Sequence, residues 1–211
     1  AENSDLFVDR VRREVGLNLE VISPAEEAGL ALAGCAPLLE ADRPNALVFD
    51  IGGGSTEVIW RDARAARPES LSIPYGVVNF AERYGNDALA QDVYEAMVEE
   101  ARTQLLPFET EQRVREEIAR GTVQMLGTSG TVTTLASIHL GLRRYDRNRV
   151  DGCYLSFDNI VQVTDRLRRL DLDGRAAMSC VGRERADLVV AGAAILDAIC
   201  RLWPVGRLRV A

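Results

Sequence analysis

Apolar positions recur along this chain in helical, alternating and continuous patterns, and each predicts a different element. Residues 5–15 place Leu6, Phe7, Val11 and Val15 near helical spacing with Arg10, Arg12, Arg13 and Glu14 opposite, predicting an amphipathic helix closed by Gly16. Residues 17–22 alternate as a short strand. Ser23 and Pro24 then supply the N-cap and first position of a second helix, with Glu26 at the capping-box position and Glu27 beside it. Residues 35–44, with Pro37 and Pro44, form a linker and the expected domain boundary. Leu47, Val48 and Phe49 are the continuous apolar run of a strand buried on both faces. Further strands are expected at 56–60 and 70–74, giving an antiparallel meander. A long helix over 87–106 should break near Pro107 and resume over 110–119. Residues 123–126 predict another buried strand leading into a helix, with later helices over 158–170, 176–181 and 185–201 and a last strand at 208–210. The 185–201 segment is apolar nearly all round and should be the central buried helix.

Two turns carry the candidate chemistry. After the first buried strand, Asp50 meets solvent and is followed by Gly52, Gly53, Gly54, Ser55, Thr56 and Glu57. The glycines are expected to supply positive φ and leave N–H groups free to point at an anion. Ser55 and Thr56 add hydroxyl donors, and Asp50 and Glu57 offer hard carboxylate oxygens to a cation. The second turn, Gly127, Thr128, Ser129, Gly130 and Thr131, opens a helix whose first N–H groups lack intrahelical partners. A polyphosphate needs donors from two sides, so the pair describes a phosphate site working through a metal.

Composition narrows the chemistry. The net charge of −7 excludes a broad basic field for nucleic acid or an anionic membrane. All 25 basic residues are Arg, which excludes a Walker A lysine or a Schiff base. His139 is the single histidine, so an H-E-x-x-H metal site is absent, and it lies in an apolar helical pattern. Cys35, Cys153, Cys180 and Cys200 lack C-x-x-C spacing, consistent with reduced thiols in a cytoplasmic protein. There is no run of eighteen apolar residues, and the first residues do not read as a leader, so a piece of a longer protein is expected.

The segment Asp50-Ile51-Gly52-Gly53-Gly54-Ser55-Thr56-Glu57, with Gly127-Thr128-Ser129-Gly130-Thr131 downstream and Val21-Ile22-Ser23 and Glu26-Glu27-Ala28 upstream, resembles the exopolyphosphatase and guanosine pentaphosphate phosphohydrolase family. Tyr145, Arg149, Val150, Gly152, Gly182 and Arg185-Ala186-Asp187 add to the resemblance, which covers essentially the whole chain. It implies the actin-like, ribonuclease H-like ATPase fold, an α/β architecture with a mixed sheet flanked by helices. Residues 1–40 would be the tail of an N-terminal domain plus linker, and 41–211 the second domain. The resemblance implies Glu27 as the general base, Asp50 and Glu57 as magnesium-associated carboxylates, and Gly52, Gly53, Gly54, Ser55 and Gly127 to Thr131 as the phosphate cradle. The substrate would be inorganic polyphosphate or guanosine penta- or tetraphosphate; Gly29, Asn79 and Asp151 depart from the family pattern and leave that preference open. Without a first phosphate domain the piece is expected to turn over poorly. Its first helix should dock on a neighbouring molecule, giving a homodimer. A non-catalytic alarmone-binding module and a sugar- or acid-kinase relative are the alternatives.

Overall fold

The computed structural model describes residues 4–85 and 90–211, with residues 24 and 25 described by their backbone alone. Helix α1 (Ser4–Val15) buries no residue, leaving Leu6 and Phe7 exposed. The strand expected over 17–22 is not formed: the segment makes no strand pairing among the described residues, and Val21 is 80% exposed. Helix α2 (Pro24–Cys35) starts as expected: the Ser23 hydroxyl accepts from Glu26 N–H at 3.3 Å, and the Glu26 carboxylate accepts from Ser23 N–H at 2.8 Å. Much of the expected linker is seated on the sheet, with Cys35 buried and a tight helical turn at Ala36–Leu38.

The meander is β1 (Asn45–Ile51), β2 (Thr56–Arg61) and β3 (Glu69–Ile73), followed by α3 (Val77–Tyr84), which the apolar pattern did not announce. Helix α4 (Gln91–Gln112) runs through Pro107 instead of stopping there, and the expected start at Asp87 lies outside the described residues. Leu105 and Phe108 are buried on either side of the proline, Phe108 edge-on to Trp203, so packing holds the helix across the missing backbone donor. The break falls at Arg113, in the left-handed region at φ 54°, before α5 (Val114–Ala119).

Strand β4 (Val123–Thr128) feeds α6 (Gly130–His139). A short α7 (Arg147–Val150) and β5 (Tyr154–Ser156) precede α8 (Phe157–Arg168) and α9 (Leu172–Ala176), so the expected 176–181 helix lies a few residues earlier. Helix α10 (Val189–Leu202) begins four residues later than expected, after turns, and buries nearly every residue before β6 (Arg207–Val210).

The six strands form one mixed sheet in the order β3-β2-β1-β4-β6-β5. The meander pairs are antiparallel, β1 with β4 and β4 with β6 are parallel, and β5 returns antiparallel to β6. Alternation along β1 decides what each face receives. Leu47, Phe49 and Ile51 enter the main core with α4, α6 and α10, while Ala46 and Val48 meet Ala28 and Cys35 of α2 and its following turn. Asp50 shares the second parity and therefore faces α2. Because β1 and β4 run parallel, their C-terminal ends, and the two glycine turns that follow, lie at one edge of the sheet.

Candidate phosphate and cation site

A cavity of about 390 Å³ opens between the two turns, lined by Asp50, Gly52 and Gly53 on one side and by Ser129, Gly130 and Thr131 on the other. The first turn owes its shape to close backbone approach. None of Gly52, Gly53 and Gly54 has the positive φ expected from the sequence. What the turn requires is contact with Gly76, where a Cβ would lie 2.4 Å from Gly53 C and O. The opening N–H groups of α3 consume the turn's carbonyls, Val77 N to Gly52 O at 3.0 Å and Val78 N to Gly53 O at 2.9 Å. Asn79 completes the clamp, donating to Gly54 O at 3.0 Å while accepting from Gly76 N at 2.7 Å.

The second turn is held from behind. Gly127 is a packing glycine, since a Cβ there would lie 2.6 Å from the Phe49 ring, and Gly192 of α10 packs so closely on Thr131 that its Cβ would fall 2.3 Å from Oγ1. Ser129 adopts φ 103° and ψ 166°, a region essentially reserved for glycine that costs about 1–3 kcal/mol. Its Oγ is buried without a hydrogen-bond partner. A strained backbone and an orphaned hydroxyl thus coincide at the start of α6. The first N–H groups of α6 begin at Gly130, in the same wall.

Sequence reasoning gave no role to Arg185 and Thr134, which line this cavity. Arg185 Nη1 donates to Thr134 Oγ1 at 3.0 Å, and its Cζ lies 3.7 Å from where a Cβ on Gly130 would stand, so the glycine makes room for the guanidinium. Among the described residues Arg185 has no carboxylate within ion-pair distance. Its position before a buried helix was the available signal, but sequence separation hid its place beside Gly130.

Asp50 also lines a second, narrower cleft of about 20 Å³ with Glu27, Glu57 and Thr128. Asp50 and Glu57 are register partners on β1 and β2. Burial pushes the Asp50 carboxyl above its ordinary range; the Thr128 hydroxyl opposes this, and the Glu57 charge adds to it. That hydroxyl has one proton to share, and it also lies 3.2 Å from the Phe49 carbonyl. Glu57 accepts from Ser55 Oγ at 2.6 Å and Ser72 Oγ at 3.0 Å, which fixes its rotamer. Ser55 thus orients Glu57, and Gly54, Ser55 and Gly127 stand outside the lining of the larger cavity. Glu26 is committed to the Ser23 cap, whose hydrogen bonds hold its carboxyl below the usual range, leaving Glu27 as the α2 carboxylate in the cleft. Among the described residues no three His, Cys, Asp or Glu side chains converge as a metal-binding set.

A mixed sheet with two glycine turns at one edge and a carboxylate pair flanking the first of them defines a protein of the actin-like ATPase fold. The chain matches the Ppx/GppA phosphatase family over residues 1–210 and belongs to it. It is 29% identical over 208 residues to exopolyphosphatase 2 of Mycobacterium tuberculosis, covering 94% of this chain and 62% of the relative. To the guanosine-5'-triphosphate,3'-diphosphate pyrophosphatase of Vibrio vulnificus it is 30% identical over 212 residues, covering 100% of this chain and 40% of the relative. It therefore spans less than two thirds of either. The crystal structure of the Aquifex aeolicus family member superposes with a TM-score of 0.78 at 28% identity, over 100% of this chain and 66% of that one. A crystallised exopolyphosphatase-like protein gives 0.86 at 26% identity, over 100% and 68%.

Proposed function

We propose that this chain carries the hydrolytic centre of a phosphoanhydride hydrolase that removes terminal phosphate from inorganic polyphosphate or guanosine pentaphosphate in the cytoplasm. The observation that carries the reading is Asp50, which belongs at once to the wall of the two-turn cavity and to the Glu27 cleft. A phosphate chain held by the first N–H groups of α6 and by Arg185 would end where Asp50 separates it from Glu27. Glu27 accepts the proton of the attacking water and orients it for in-line displacement. Donors on both sides of the equatorial oxygens stabilise charge that develops as the bridging bond lengthens.

The donor set suits magnesium. Asp50 and Glu57 are adjacent hard oxygen ligands whose mutual repulsion a divalent cation would relieve, and magnesium usually takes one or two carboxylates plus waters and phosphate oxygens. Bound there, it would neutralise phosphoryl charge and polarise the transferred group. The 211-residue chain alone is expected to turn over slowly, because donors closing the other side of the substrate belong to the length it does not share with its relatives.

Orthophosphate release tests the reading, using polyphosphate, guanosine pentaphosphate and ATP with sugars. Release from either of the first two with magnesium, reduced by about 10² to 10⁴ in Glu27→Gln, is the expected result. Sugar-dependent ATP consumption alone would make the protein a kinase. Binding of guanosine pentaphosphate without turnover would make it a non-catalytic module.

A further inference from the structure

Between α9 and α10, residues 177–188 run through turns, and this stretch sends Arg185 into the two-turn cavity. A turn segment has no ladder to fix it, yet a guanidinium that binds phosphate gains from a fixed backbone, because motion frozen on binding costs affinity. Toward α10 the hold is firm: the Arg185 carbonyl accepts from Leu188 N at 3.1 Å and from Val189 N at 2.9 Å. On the other side Arg185 N reaches Gly182 O at 3.4 Å.

The next residue is held from inside the protein. Ala186 is 1% exposed, so its carbonyl is closed off from water and needs a protein donor. Arg175 Nη1 supplies one at 2.9 Å. Arg175 belongs to α9 and is fully buried, one of the largest side chains to be so. Its Nε also lies 3.4 Å from the carbonyl of Asp171, the residue that caps α9 by accepting from Gly174 N at 2.7 Å. The guanidinium therefore joins the start of α9 to the backbone beside Arg185. Burying a charge is costly, and a methionine would fill a similar volume without that cost; what the planar fork adds is reach to carbonyls on two segments.

Arg185 is consequently gripped at both ends. Its backbone is fixed through Ala186, and its tip donates to Thr134 Oγ1 at 3.0 Å beside Gly130. Arg185 is otherwise exposed, so its aim depends on where its backbone is held. We propose that Arg175 is a positioning residue for the two-turn cavity: on the reading of that cavity as a phosphate site, the buried guanidinium holds the Ala186 carbonyl so that Arg185 is aimed at Gly130 before phosphate arrives. Arg175 lies outside the cavity lining, so its effect passes through Arg185.

The test is a double-mutant cycle on this chain, read by calorimetry with pyrophosphate. Arg175→Lys keeps the charge but loses the fork that reaches both carbonyls, and Arg175→Met loses every donor. Affinity should fall at least about threefold in Arg175→Lys and at least about tenfold in Arg175→Met, and by less than about twofold when either is added to Arg185→Gln. A merely structural Arg175 would lower affinity by the same factor in both backgrounds. That result, or undiminished affinity in Arg175→Met, would overturn the proposal. If Arg175→Met does not fold, Arg175→Lys decides alone. Relaxation of the Arg185 Nε–H resonance in ligand-free protein separates the positioning from the phosphate reading. Order lost in Arg175→Lys while wild type binds no pyrophosphate would overturn that reading and keep the positioning; unchanged order would overturn the positioning.

Discussion

Asp50 and Glu57 stand directly opposite one another across the β1–β2 ladder, so two carboxylates share one half-buried cleft. The raised Asp50 pKa has a stability consequence. A carboxyl that holds its proton more tightly when folded makes folding less favourable as pH rises through that raised value. Asp50→Asn should therefore increase the melting temperature at pH 7, and the gain should shrink as pH falls toward the ordinary aspartate value of 3.8. Thermal scans of both proteins across that range check the sign; a destabilised variant at pH 7 would mean that Asp50 is a structural hydrogen-bond acceptor.

Arg185→Gln should leave the fold intact while weakening phosphate binding. Charge-assisted hydrogen bonds contribute about 1.5–3 kcal/mol, or roughly 10- to 150-fold in affinity. Calorimetry with pyrophosphate measures the loss, and a change in melting temperature without a change in affinity would move Arg185 from binding to packing.

Neighbouring glutamates on α2 should separate cleanly. Ser23→Ala removes the cap and should cost about 0.5–2 kcal/mol. Glu27→Gln, outside the capping box, should change stability by less than about 0.5 kcal/mol. Urea unfolding of both variants beside wild type is sufficient. A large loss in Glu27→Gln would give that carboxylate a structural role.

Gly76→Ala should be among the most damaging single-methyl changes. The added Cβ meets backbone on both sides of the Gly53 peptide, which has no rotamer to yield, so a loss of about 3 kcal/mol or more is expected. Phosphate affinity should fall with it, because the first turn must move. A neutral Gly76→Ala would show that the clamp is looser than its distances.

Much of this arrangement was legible in the sequence because the signals were local. Ser23-Pro24-Ala25-Glu26 carries its own capping logic, and Leu47-Val48-Phe49 announces a buried strand without reference to anything distant. Pro107 misled because proline's cost is local, whereas the burial of Leu105 and Phe108 that outweighs it comes from tertiary packing. The three glycines were read as a conformational requirement, but the constraint is contact with Gly76, twenty-three residues beyond Gly53. Asn79 stood out only as a departure from the family pattern, yet its amide holds Gly54. Arg185 and Thr134 lie on different elements, and nothing in their local sequence foretells the 3.0 Å bond between them.

The parallel pairing of β1 with β4 joins Asn45 to Val123, seventy-eight positions further along the chain. Such a contact is reached late, since the loop must close before the pairing returns any stabilisation. The meander and α4 can form from nearer neighbours, but the two turns face one another only after this strand pair has zipped. Phosphate, which can bridge the turns only once they face one another, should consequently raise the melting temperature with the logarithm of its concentration.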